Sequence, residues 1–229
     1  MRKRISVGAL LAVVGLVSAS VPAAAENSVR FRLGQFTPDG ESEYWEGKEI
    51  DFTGEAEDLE GVYGGLDFLF EPTDFVGLVV SVDRFENDLD QEYRDFVDTA
   101  GNPIVHQTNL EITPLTVGVL VRVAPPRSPV RPYLGAGAGL YFWRLEEDGE
   151  FIDFTTDPPE IFEAEFTDEG QPFGYYLMAG IEVPVGPYFS FFAQGRWDEA
   201  DDELEDDFTG LGELDLSGRR IAAGIAWRF

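Results

Sequence analysis

Eight stretches of this chain alternate apolar residues with small or polar ones at a period of two: 28–36, 61–71, 75–84, 110–123, 131–143, 173–184, 188–197 and 218–229. That period is the signature of a β-strand with two unlike faces. One face is greasy, as in Leu115/Val117/Val119/Val121 and Leu134/Ala136/Ala138/Leu140. The opposite face carries glycines and charges. Three connections are short and marked by Pro or Gly: Glu71-Pro72-Thr73-Asp74, residues 124–130, and Pro184-Val185-Gly186-Pro187. The other four, near 37–60, 84–109, 144–172 and 198–217, run to about twenty residues or more, which is uncommon in compact soluble domains. Short turns on one side and long loops on the other predict an all-β, eight-stranded, antiparallel up-and-down transmembrane β-barrel. An even strand number returns both ends of the barrel to the short-turn side. A soluble lipocalin-like barrel is the alternative. It would require the charged face outside, which fits neither the loop asymmetry nor the aromatic terminus.

The last strand sharpens the reading. Ile221, Ala223, Ile225, Trp227 and Phe229 share one face, and the chain stops on the aromatic. A soluble edge strand is normally blunted or covered, whereas a strand that closes a barrel has no free edge. Ile225, Trp227 and Phe229 are therefore expected to form an assembly signal. At the other end, Arg2, Lys3 and Arg4 precede an apolar run from Ile5 to Val21 and the small residues Ala23-Ala24-Ala25. This predicts a cleaved signal peptide over 1–25 and a barrel over 26–229. No later segment approaches the ~18 apolar residues of a membrane helix.

The formal net charge is −28, or about −31 without the three basic leader residues, and Lys48 is the one lysine beyond them. Nucleic acid is excluded as a partner, because phosphate binding needs clustered Lys and Arg. The four long connections hold 37 of the 44 Asp and Glu, so the acidity is expected as an extracellular crown. There is no cysteine and one histidine, His106, which removes thiol chemistry and most metal sites.

The predicted inward faces carry charges of both signs: Arg30, Arg32, Asp67, Asp83, Arg122, Glu182, Arg196, Arg220 and Arg228, with Gln194 among them. Charges withdrawn from water must be paired. A structural ion network filling a narrow lumen is therefore expected, with Arg32 facing Asp67, and Arg122 and Glu182 extending it. A gated solute path is the competing reading. His106 is the one candidate general base, near Thr108 and Glu111, but a lipid-modifying site would want a serine. A solvated loop histidine and no catalytic residues are expected. In the run 198–207, Asp201, Asp202, Glu205 and Asp206 are weak metal candidates without EF-hand spacing. No cofactor is expected beyond divalent cations loosely held at the loops. Aromatics near strand ends read as interface girdles: Phe36, Phe85, Trp143, Tyr175 and Trp197 outside, Phe70, Phe75, Tyr188, Trp227 and Phe229 inside. Trp143, Tyr133 and Tyr141 are the ones that parity can instead turn inward.

The segments PYLGAGAGLYFW (132–143), FGYYLMAGIEVPVG (173–186), FSFFAQGRW (189–197) and the terminal IAAGIAWRF resemble the small outer-membrane β-barrel family of OmpX, OmpW and OmpA-transmembrane type. The resemblance covers the strands and not the loops. It implies residence in the cell outer membrane, contact with outer-membrane lipid and lipopolysaccharide, and delivery by the barrel-assembly machinery. A monomer is expected. For function it implies envelope structure or surface interaction. Alternatives are an OmpW-like narrow channel for small or hydrophobic solutes and, third, a lipid-modifying enzyme.

Overall fold

The computed structural model describes residues 26–229; residues 1–25, where a signal peptide is expected, lie outside the described residues. Eleven strands follow in chain order: β1 (Glu26–Pro38), β2 (Gly61–Glu71), β3 (Val76–Val97), β4 (Pro103–Arg122), β5 (Arg131–Asp153), β6 (Glu160–Gly170), β7 (Phe173–Pro184), β8 (Phe189–Glu199), β9 (Asp201–Glu203), β10 (Glu213–Asp215) and β11 (Gly218–Arg228). Eight of them close a ring in the order β1-β2-β3-β4-β5-β7-β8-β11, with every pairing antiparallel. The seam pairs the ends of the barrel: Val29 lies opposite Trp227, and Phe31 opposite Ile225. The last residue is tied in as well, since Phe229 N–H donates to Asn27 C=O at 3.0 Å.

The wall turns aliphatic and aromatic residues outward. Leu33, Val62, Leu134, Phe173, Leu177 and Ile221 are all more than half exposed. Such a belt is costly in water and stable against hydrocarbon. Inward glycines let the ring close tightly. A Cβ at Gly137 would run into the Tyr176 ring, and one at Gly65 would occupy the space of the Asp83 carboxylate.

The long connections are not loops throughout. β3, β4 and β5 run 22, 20 and 23 residues, roughly double the ~9–11 that a tilted membrane strand needs. Residues 84–109, read from sequence as a loop, are mostly the continuation of β3 and β4. Similarly, β6 pairs with the upper part of β5 from Trp143 to Asp153. The face rule inverts in these extensions. On upper β5 the charged Arg144, Glu146 and Asp148 turn outward, while Leu145 and Phe151 are buried. Water has replaced lipid as the outer solvent, so apolar side chains go in.

The 37–60 connection contributes a helix, α1 (Glu43–Asp51), and a 3₁₀ turn, Ala56–Leu59. Glu43 and Glu46 in the first turn and Lys48 in the last suit the helix dipole. Tyr44, Trp45 and Lys48 form its buried face. A second 3₁₀ turn, Asp206–Phe208, stands between β9 and β10. Trp45, Leu59, Leu204, Phe208, Leu214 and Leu216 pack with the strand residues Phe36, Phe85, Leu110 and Leu145 into one apolar cluster. Each such side chain contributes roughly 1.5–3 kcal/mol by leaving water. The crown is thus a folded cap with its own core, seated on the mouth of the barrel.

Phe36 and Phe85 correct the girdle reading. Both are fully buried, with ring centroids 4.8 Å apart edge to face. Parity explains it: Phe31 and Leu33 face out, so Phe36 faces in. Tyr133, Tyr141 and Trp143 are buried too, whereas Tyr175, Trp197, Phe75, Tyr188, Trp227 and Phe229 stay exposed.

Candidate functional site

Two regions hold the buried ionisable groups: the barrel interior and the cap. Inside the ring, Arg32 on β1 reaches Asp67 on β2 through Nη1 and Asp83 on β3 through Nε (2.9 Å) and Nη2 (2.6 Å). Ser81 Oγ donates to the same Asp67 oxygen at 2.6 Å. Asp83 continues the chain to Arg196 on β8 (3.3 Å), and Arg196 pairs with Asp198 at 2.6 Å. Tyr141 O–H also donates to Asp198, at 2.6 Å. Arg220 Nε lies 3.0 Å from Asp198 Oδ2 without hydrogen-bond alignment, and its guanidinium stacks 4.4 Å over Phe36. All of these charged side chains are under a tenth exposed.

Arg122 and Glu182 belong to a separate interior cluster. Arg122 makes a two-pronged contact with Glu71 (2.5 and 3.0 Å) and a third bond to Glu182 (3.0 Å), which Arg228 also engages. Arg30 has no carboxylate within ion-pair distance among the described residues. It donates to Tyr133 Oη at 2.6 Å and stacks 3.9 Å from the Phe192 ring, so aromatic faces supplement the longer-range charges of Asp67 and Glu182. Sequence reasoning missed Glu71, placed in a turn, and Asp198, placed at the start of the acidic loop. Continued strand parity would have put both inside.

The cap constellation corrects the reading of His106. This residue is on β4 and is 1 % exposed. Its Nε2 is 2.8 Å from Lys48 Nζ, and its ring meets Phe52 at 4.5 Å and Phe151 at 5.1 Å. Lys48 Nζ also bonds Glu147 Oε1 at 2.8 Å, and Tyr44 O–H donates to the same oxygen at 2.5 Å. Burial, then the neighbouring Lys48 cation, push the His106 imidazole down to about 4, with Glu147 pulling the other way. Burial likewise lowers Lys48, against the pull of Glu147, and raises Tyr44 well above the phenol range. A neutral His106 therefore accepts from the Lys48 ammonium. The polar knot ties α1 to β4 and β5. Thr108 is committed to Gln91 (2.8 Å) and Glu111 to Arg84 (2.5 Å), so neither orients His106.

Beside the knot opens a cavity of about 360 Å³, walled by Tyr44, Phe52, Phe151, Phe166 and Phe208, with Glu43, Asp51, Glu147, Asp207 and Lys48 also lining it. The proposed metal residues are dispersed. Asp202 accepts from Trp143 Nε1 at 2.8 Å, Asp206 sits at positive φ in the 3₁₀ turn, and Asp201 and Glu205 are exposed. No group of three or more His, Asp or Glu side chains among the described residues is placed to hold a metal.

A closed eight-strand ring with an apolar outer belt, an interior that mixes buried ion pairs with a smaller apolar cluster around Leu69, Leu120 and Met178, and both barrel ends on the short-turn side defines a small transmembrane barrel. The outer membrane protein beta-barrel domain family matches residues 9–229, and the chain belongs to that family. It is accordingly an outer-membrane protein. The fold is similar to that of Neisserial surface protein A (TM-score 0.52, 13 % identity, 90 % of this chain and 99 % of that one). It is also similar to the outer membrane protein OprG from Pseudomonas aeruginosa (0.53, 12 %, 90 % and 96 %). A major outer membrane protein from Thermus thermophilus is a further neighbour (0.53, 16 %, 90 % and 100 %). No curated protein sequence matches this one.

Proposed function

We propose that this protein is a non-conducting outer-membrane barrel that displays a folded acidic cap and acts in envelope structure or surface interaction. The observation that carries this reading is the stacking of two filled layers. Guanidinium–carboxylate clusters occupy the interior, and the apolar cap cluster closes over them. A water path would need hydrated charges, whereas Arg32, Asp83, Arg196 and Arg220 have almost no accessible surface. Its wall meets outer-membrane lipid and lipopolysaccharide, and the barrel-assembly machinery reads its last strand. The ring closes within one chain and needs no strand from a second copy, which supports a monomer. No catalysis is assigned: His106, the sole imidazole, is bound to Lys48 and packed among aromatic rings.

Proteoliposome swelling tests this. Vesicles carrying the protein should swell in small sugars and amino acids no faster than empty vesicles. Swelling that rises with protein content would favour the narrow-channel alternative.

A further inference from the structure

The cap cavity lies outside the lumen, and the reading above gives it no task. Its volume of about 360 Å³ is within the roughly 300–1,000 Å³ of small-molecule sites. The walls are mainly aromatic, and the charged lining is unbalanced: four carboxylates face one ammonium. That ammonium is already engaged. Lys48 holds Glu147 and His106 and lies 4.2 Å over the Phe52 ring. Among the described residues Glu43 and Asp51 make no contact ion pair, Asp51 feeling Lys48 only at longer range, and both are exposed on α1 at the cavity rim. Asp207, on the opposite rim, accepts among the described residues only from the Thr167 backbone N–H, at 3.1 Å. The arrangement offers aromatic faces to an apolar body and free carboxylates to a positive charge. Both elements favour an organic cation. An anion would meet the rim carboxylates, and a fully apolar solute would leave them unused.

We propose that this cavity binds a small organic cation with an aromatic body, of the arylalkyl-ammonium class. The acidic surface supplies long-range attraction, and the phenylalanine walls supply the contact that distinguishes such a ligand from a metal ion. The site is independent of the lumen, so an open barrel would leave the proposal standing.

The test uses benzyltrimethylammonium as probe, with the whole barrel, residues 26–229, in nanodiscs and empty nanodiscs as blank. Binding is read by saturation-transfer NMR and calorimetry. Tetramethylammonium reports charge alone, benzyl alcohol the ring alone, and benzenesulfonate the reversed charge. The expected result is saturable binding of benzyltrimethylammonium at least tenfold tighter than either tetramethylammonium or benzyl alcohol, and none of benzenesulfonate. Asp207→Asn and Glu43→Gln should each weaken it two- to fivefold. Phe166→Leu should weaken benzyltrimethylammonium while leaving tetramethylammonium unchanged. Heat-modifiable migration checks that each variant is folded, and the two charge variants stand if the aromatic one does not assemble. Equal affinity for both ammonium ions, or binding indifferent to all three variants, would reduce the effect to counterion attraction and overturn the proposal.

Discussion

Replacing Arg32 with Met is the sharpest perturbation of the interior. The guanidinium serves two carboxylates, and they are unequally insured. Asp83 keeps Arg196 at 3.3 Å and Arg220 at 3.7 Å. Asp67 keeps one hydrogen bond, from the Ser81 hydroxyl at 2.6 Å, and the more distant charge of Arg30. The substitution therefore strands mainly Asp67, which is 3 % exposed. Breaking one side of a buried pair costs about 3–5 kcal/mol, and Arg32→Met should fall in that range. Asp67→Leu should cost less, because Arg32 retains two bonds to Asp83. The double variant removes both misfits, so its cost should fall short of the sum by about 2 kcal/mol or more. Urea unfolding of the barrel in lipid vesicles, followed by tryptophan fluorescence and circular dichroism, measures all three. Coupling of ~0–1 kcal/mol, the value of solvent-exposed pairs, would show hydrated charges and refute a filled interior.

Three further outcomes are expected. Deleting Phe229 removes the backbone bond to Asn27 and the aromatic end of the closing strand; outer-membrane assembly, read by heat-modifiable migration, should slow, and a wild-type rate would refute the terminal signal. His106 is held at about 4 in the fold against 6.5 when free, so the unfolded chain takes up its proton first. Cap stability should be full above pH ~6.5 and fall towards pH 4, by on the order of 3–4 kcal/mol at most at about 1.4 kcal/mol per pKa unit. Lys48, Glu147 and Tyr93 are the charged or titratable groups facing it. Hydrogen exchange of α1 in wild type against His106→Gln should show this slope only in wild type, and equal slopes would exclude His106 as its source. Calcium should bind the crown diffusely, with millimolar or weaker affinity; calorimetry showing a stoichiometric micromolar site would contradict the dispersed carboxylates.

The membrane part of the fold was legible because lipid enforces one rule, apolar out, on all eight strands. Ring order, short turns and the inward Arg and Asp followed from it. What escaped lies where that rule inverts. On β5 the apolar positions are even up to Phe142 and odd from Trp143 to Leu145. Reading the change of phase as the end of the strand hid the upper sheet and, with it, the buried place of His106. Asp198 was lost for a related reason: its acidic neighbours suggested a solvated run, although its parity matches Arg196. Helix α1 had no strong periodicity, and Tyr44, Trp45 and Lys48 gain their meaning only from partners distant in sequence.

Planar-bilayer recording of the refolded barrel, residues 26–229, tests the central claim most directly, with insertion verified by protease access to the cap. A barrel filled by Arg–carboxylate clusters and closed by the cap core should carry no steady current at any moderate voltage. Stable ohmic steps that scale with salt would contradict the account and make the lumen a channel.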